Sequence, residues 1–251
     1  SKSKEKILRV GFVSADLRSH SVGHFLNNIL KSLKKRKLKL YGYYRSSASF
    51  RVRIALELKA LNWESIPVNL RLGEQKQESF QQNNPQGLVP VLESSGQFLA
   101  QSLAIIEYLE ELHPDPQLLP SSITERAEVR ATAHQIAMEI HPLNNLRVLK
   151  YLENELGLDE EKKTNWYQHW IAEGFSSLEK TLKNSGSEGQ FCFGDMPSLA
   201  DVCLIPQVYN GLRFKCDLSA YPLIQSIWDH CMKLEPFKRA APENQLDATS
   251  G

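Results

Sequence analysis

The sequence predicts an α/β half followed by an all-helical bundle, with an extra strand–helix unit ahead of both. Three observations predict it. Apolar runs of strand and helix period alternate up to about residue 112. His113-Pro114-Asp115-Pro116 cannot continue a helix, and every periodic segment beyond it is helical. The 251 residues are 41% hydrophobic and 24% charged, a globular balance that excludes disordered and fibrous classes. No run of about 18 apolar residues predicts a membrane span, and no apolar stretch follows the basic SKSKEK to form a secretory signal. Cys192, Cys203, Cys216 and Cys231 lack CxxC spacing, so reduced thiols in a cytoplasmic protein are expected, with no disulfide frame and no metal site.

The elements follow in order. Ile7–Ser14 reads as a strand, and Val22, Phe25, Leu26, Ile29, Leu30 and Leu33 recur at helical spacing over about 21–35. This block is strongly basic. Residues 1–39 hold eleven Lys and Arg against Glu5 and Asp16, a balance of +9, while the remainder carries −8. Lys34-Lys35-Arg36-Lys37 suits the negative end of a helix, and no nucleic-acid partner is expected. Next come a strand at Leu38–Tyr44, a helix capped by Ser46 or Ser47, and a strand at Trp63–Val68. Turn residues Asn83–Gly87 lead into Leu88–Leu92, and Ser94-Ser95-Gly96 turns the chain back through Gln97–Ala100. The helix Ser102–Leu112 is expected to face Leu103, Ile106 and Leu109 inward. In the bundle, a long helix over about 124–152 should kink at Pro142. A second helix carries Trp166, Trp170, Ile171, Phe175, Leu178 and Leu182 as a core stripe. Ser198-Leu199-Ala200-Asp201 caps a third, Tyr221-Pro222 opens a last one through Met232, and a polar tail follows Pro242.

Three local cues carry chemistry. Hydroxyls in Arg45-Ser46-Ser47-Ala48-Ser49 sit where a strand meets a helix N-terminus, among arginines. That makes an anion site or a simple cap. Val89-Pro90 gives up a ladder donor at a strand start, beside an extended ligand or merely at a sheet edge. Gln101-Ser102 opens a helix with polar residues. His141, ahead of Pro142, reads equally as a packing histidine or as a proton or hydrogen-bond partner in a cleft.

The order and spacing of these cues resemble the zeta class of glutathione transferases, which includes the maleylacetoacetate and maleylpyruvate isomerases. LYGYYRSSASFRVRIALELK, NPQGLVPVL, QSLAIIEYLEELHPDPQLLP, IHPLNNLRVLKYL and GDMPSLADVCLIPQVYNGLRFKCDL carry the likeness, which spans about residues 39–247. It implies a thioredoxin-like domain over 39–116 that binds glutathione, then an all-helical substrate domain over 117–247 and a tail at 248–251. The basic extension occupies 1–38.

The resemblance also implies roles. Ser46, with Ser47 beside it, would hydrogen-bond the glutathione sulfur, and Arg45 would assist catalysis. Val89, before a cis Pro90, would pair with the cysteinyl unit, and Gln101 and Ser102 would hold the γ-glutamyl end. Gln75 would meet the glycine end, with His141 and Asn145 lining the same cleft. Arg147 and Arg213 would take substrate carboxylates. A homodimer is implied as well. Where the class signature often has cysteine this chain has Ala48, so no protein thiol can take part there.

None is needed for the sulfur chemistry. Lowering a thiol of pKa about 8.5 by about two units costs roughly 2.7 kcal/mol. A hydroxyl donating to the thiolate supplies about 1.5–3 kcal/mol, and a helix terminus about 0.3–2 kcal/mol. The expected reaction is glutathione-dependent cis–trans isomerisation of a maleyl dicarboxylate. The alternatives are transfer or dehalogenation on small α-haloacids, and a non-catalytic module that keeps the fold. Two arginines favour two carboxylates, and a scaffold would have no use for Ser46, Val89-Pro90 and Gln101-Ser102.

The first block has a separate likeness. ILRVGFVSADLRSHSVGHFLNNIL resembles the first strand, loop and helix of proteins similar to O-linked N-acetylglucosamine transferases, with His20 at their active-site histidine. The sugar-nucleotide part is missing, so His20 and His24 are expected to be idle. The block is expected to extend the sheet edge or to pack outside it.

Overall fold

The computed structural model describes residues 37–187 and 189–248. The expected strand–helix unit, its basic run and His20 and His24 lie outside the described residues. The first strand is β1 (Leu38–Gly42), followed by α1 (Ser47–Leu58) and β2 (Trp63–Pro67). A 3-10 turn (Glu74–Lys76) and the short α2 (Glu78–Gln81) lead to β3 (Val91–Ser94), β4 (Gln97–Ala100) and α3 (Ser102–Leu112). The sheet order is β2-β1-β3-β4, with β1 parallel to β2 and antiparallel to β3. In the β3–β4 hairpin, Ser95 and Gly96 both take positive φ, which fits a two-residue turn that needs left-handed backbone at each position.

Strand alternation decides the two faces. Leu38 and Leu40 point into the main core, while Tyr41 joins Val68, Phe80, Val89 and Val91 in a small cluster around α2. Above the main face, α1 is buried almost all round, from Phe50 to Leu56, because it lies between the sheet and the helical half. In α3, Ile105, Ile106 and Leu109 are buried. Leu103, expected to face inward, is only half-buried, and Ile105 takes its place. The linker is clamped by the buried Lys59 ammonium. It pairs with Glu110 at 2.6 Å and donates to the carbonyls of His113 (2.7 Å) and Pro116 (2.8 Å). Both Val89-Pro90 and Asp115-Pro116 are cis.

The helical half comprises α4 (Ile123–His134), α5 (Leu146–Asn154), α6 (Glu160–Asn184), α7 (Leu199–Arg213), α8 (Pro222–Cys231) and α9 (Glu235–Ala240). Its core is continuous with that of the sheet through α7, whose Val202, Cys203, Leu204 and Ile205 are fully buried. The expected capping box on α7 is present. Asp201 accepts from Ser198 N at 2.8 Å and from Cys192 N at 2.7 Å.

Three expectations need correction. The long helix over 124–152 is broken, not kinked. After α4 the backbone widens into a π segment (Gln135–Ile140), tightens into a 3-10 turn (His141–Asn144) and extends at Asn145 before α5 begins. Pro142 removes a helical donor, and the widened turn absorbs the misfit. Ile140 then packs where a Cβ on Gly174 of α6 would collide with it. Trp166 and Trp170 are half-buried, and the core stripe of α6 is Tyr167, Ile171, Phe175, Leu178 and Leu182. The Trp166 indole N–H stays near the surface to donate to the Leu143 carbonyl at 2.9 Å. The segment after Pro242 is no free tail: Pro242 is buried, and Asp247 accepts a hydrogen bond from the Tyr44 amide at 3.0 Å. Among the described residues no helix is long and apolar enough to cross a membrane.

Candidate active site

The β1–α1 connection is a tight turn closed by Ser46 N donating to Tyr43 O at 2.9 Å. Ser46 then caps α1, its Oγ accepting from Ser49 N at 3.2 Å. Acting as a cap uses only a lone pair, so the Ser46 hydroxyl proton is left free to donate. Ser47 is buried, and its Oγ accepts from the Asn210 amide of α7. Asn210 Oδ1 in turn accepts from Arg213 Nη1 at 3.0 Å.

These residues open on a cleft of about 450 Å³. Its second wall is the broken segment, where Asn145 Oδ1 caps α5 by accepting from Arg147 N at 3.1 Å. Tyr167 stacked on Phe214, centroids 3.7 Å apart, adds an aromatic surface. The structure brings Arg45, Ser46, Ser47, Gln75, Val89, His141, Asn145, Arg147 and Arg213 to this one cleft. Three expected residues lie outside its lining. Pro90 is buried. Ser102 is buried, accepting from Arg51 Nη1 at 3.5 Å. Gln101 is exposed at φ 71° and donates to Gln86 Oε1 at 2.7 Å, next to the lining residue Gly87.

Electrostatics is one-sided here. Among the described residues, six cations line the cleft, Arg45, Arg71, Lys76, Arg147, Lys150 and Arg213, and no Asp or Glu accompanies them. Arg71, Lys76 and Lys150 escaped the sequence reading. Lys150 had a local signal, being one helical turn beyond Arg147, whereas Arg71 and Lys76 had none. Asn210, the link between Arg213 and Ser47, was also missed. A cluster of like charges with no acids suits a ligand with several anionic groups. Two buried acceptors of lining residues, Gln75 Oε1 and Asn144 Oδ1, have no donor among the described residues. They suit the amide and ammonium N–H groups of a peptide-like ligand.

Burial pushes the His141 imidazolium down to about pKa 3, helped by the charges of Arg51 and Arg147. His141 is therefore neutral near pH 7. Its Nε2 lies 3.5 Å from Asn145 Nδ2. Burial and Tyr44 raise the pKa of Tyr43, opposed by Arg71 and Arg45, so this lining phenol stays protonated.

Comparison with known proteins gives a consistent result. The family "Glutathione S-transferase, N-terminal domain" matches residues 40–117. A probable maleylacetoacetate isomerase of Vibrio cholerae is 51% identical over 211 residues, 83% of this chain and 97% of that protein. The holo structure of a maleylpyruvate isomerase, a bacterial glutathione S-transferase in the zeta class, superposes with TM-score 0.82 at 45% identity. It covers 84% of this chain and 99% of that one. A maleylacetoacetate isomerase of Anaeromyxobacter dehalogenans 2CP-1, solved with dicarboxyethyl glutathione and citrate in its active site, gives TM-score 0.77 at 39% identity. Coverage is 86% of this chain and 96% of that one.

Proposed function

Because this chain belongs to the glutathione S-transferase family, within its zeta class, we propose that it is a glutathione-dependent isomerase converting a maleyl dicarboxylate, maleylacetoacetate or maleylpyruvate, from cis to trans. The observation that carries this reading is that six cations, with no Asp or Glu among the described lining residues, share one cleft with Ser46. When bound, glutathione supplies a thiolate that adds to the cis double bond and leaves again after rotation about the bond made single. Dicarboxyethyl glutathione, bound in the Anaeromyxobacter relative, is the thioether that the same addition would give with maleate, the simplest cis dicarboxylate of this kind.

The residues of this chain do the rest. Ser46 donates its proton to the sulfur while its oxygen caps α1, and the α1 N-terminus adds a favourable field. Ser47, whose oxygen accepts from Asn210, keeps its own proton for a second donation. Arg45, Arg147 and Arg213 grip carboxylates, and their charge also favours the enolate that develops. Gln75, Val89, His141 and Asn145 would meet glutathione from the cleft lining, and Pro90, Gln101 and Ser102 would support it from outside that lining. Cations on both walls favour a dicarboxylate over an α-haloacid, which has only one carboxylate. A cytoplasmic setting and a homodimer belong to the same reading, and sedimentation velocity tests the second.

The direct test follows maleylacetoacetate absorbance with the full chain, with and without glutathione. Turnover is expected only when glutathione is present. Turnover without glutathione, or none with it, defeats the reading.

A further inference from the structure

The turn that presents Arg45 and Ser46 has central residues Tyr44 and Arg45, and its own closing bond uses only Tyr43 O and Ser46 N. Both backbone groups of Tyr44 are taken up from elsewhere in the chain. The amide donates to Asp247 Oδ2 at 3.0 Å, across 203 residues. The carbonyl accepts from Arg53 Nη2 at 3.0 Å, and the same buried guanidinium donates through Nε to the Ala240 carbonyl at 2.8 Å. The segment carrying Ala240 and Asp247 is itself pinned, Gln245 Nε2 donating to the carbonyls of Arg239 (2.8 Å) and Ala241 (2.9 Å). The Tyr44 ring is buried, and the Arg45 guanidinium lies over it, 4.9 Å from the centroid. The two peptide groups that flank the Tyr44 Cα are therefore held, one directly by Asp247 and the other by Arg53 of α1, which is itself tied to the Ala240 carbonyl.

We propose that Asp247 and Arg53 are positioning residues that fix the Tyr44 peptide, so that the segment after α9 sets where Arg45 and Ser46 stand in the cleft. The inference rests on the glutathione reading of that cleft. A four-residue turn has little stiffness of its own, and displacements of about 1 Å at reacting groups cost up to about a hundredfold in rate. Neither residue touches the cleft, so each acts through Tyr44.

Asp247→Ala and Asp247→Asn separate positioning from mere stability. Asparagine keeps an acceptor oxygen at the same reach, and alanine does not. The readouts are the ultraviolet thiolate titration of bound glutathione, kcat and KM for maleylacetoacetate, and the melting temperature of the full chain. With Asp247→Ala, the bound thiol should become less acidic by at least half a pH unit and kcat should fall at least fivefold. Asp247→Asn should restore both to within about twofold of the parent. A lowered melting temperature with unchanged thiol acidity and kcat would make Asp247 only structural and overturn the proposal. So would Asp247→Asn failing as badly as Asp247→Ala. Should Asp247→Ala fail to fold, Asp247→Asn and Asp247→Ser take its place. The longer reach of asparagine must then outperform serine in thiol acidity, and equal acidity overturns the proposal. The thiol titration needs no dicarboxylate. A parent that binds glutathione without isomerising would sink the isomerase reading alone, and an unmoved titration would sink the strap alone.

Discussion

On one side of the cleft, Tyr43–Ala48 passes from strand to helix through a single closed turn. On the other, residues 135–146 run through wide, tight and extended backbone before a helix resumes. Both walls end in a helix N-terminus capped by its own residue, Ser46 on α1 and Asn145 on α5. They arm those ends differently. The first wall presents the Ser46 and Ser47 hydroxyls at a helix N-terminus beside Arg45, which suits a sulfur whose protonation must change. The second contributes Arg147 and Lys150, point charges that suit carboxylates ionised throughout. Neutral donors adjust acidity, and fixed cations adjust affinity and charge in the transition state. Arg213 is tied to the first wall through Asn210 and Ser47.

This division can be broken by substitution. The largest effect is expected from Arg213→Leu, which removes a carboxylate partner. At about 1.5–3 kcal/mol for a charge-assisted hydrogen bond, KM for the dicarboxylate should rise about 10- to 100-fold. The thiolate titration should move little, and a large movement would mean that the Asn210–Ser47 link also governs the sulfur. Next, Ser46→Ala should lower kcat about tenfold or more and make the bound thiol less acidic, with dicarboxylate KM little changed. An unchanged rate would transfer the donor role to Ser47 or to backbone N–H groups. The loss of the cap should also cost about 1 kcal/mol of stability.

The smallest effect concerns His141. An unfolded histidine takes up its proton below about pH 6.5, whereas folded His141 resists until about pH 3. Between those values the unfolded chain binds more protons, so stability falls as the pH falls. The contribution of this residue is up to about 1.4 kcal/mol per pH unit. His141→Gln should therefore lose stability less steeply between pH 6.5 and 4 in urea denaturation. Parallel slopes would show that burial does not hold this imidazole neutral.

Much of the α/β wall was legible because its signals are local. A hydroxyl at a strand–helix boundary announces a cap, and Asn83–Gly87 and Ser94–Gly96 announce turns. The helical wall was misread where local rules leave several outcomes. Pro142 announces a missing donor but not whether the helix breaks or bends; in the fold it breaks, and Ile140 lies where a Cβ on Gly174 would collide with it. The α6 stripe was assigned to Trp166 and Trp170 because large aromatics suggest a core. Trp166 instead keeps its indole N–H for the Leu143 carbonyl, and Tyr167 fills the interior. The stretch after Pro242 reads as a tail by its polarity, yet Asp247 and Gln245 use that polarity to satisfy distant backbone groups.

By itself, then, the sequence determined the main strand and helix succession over residues 38–112, the caps on α1 and α7, and the placing of a hydroxyl at the start of α1. These follow from periodicity and from hydrogen bonds spanning a few residues. Only the tertiary structure decided that Arg71, Lys76 and Lys150 would join Arg45, Arg147 and Arg213, and that Asp247 would reach Tyr44. Surface cations leave no trace in an apolar pattern. Their convergence comes from how a shared core orients whole helices and sheets, a sum of many apolar contacts that no single pair of residues encodes.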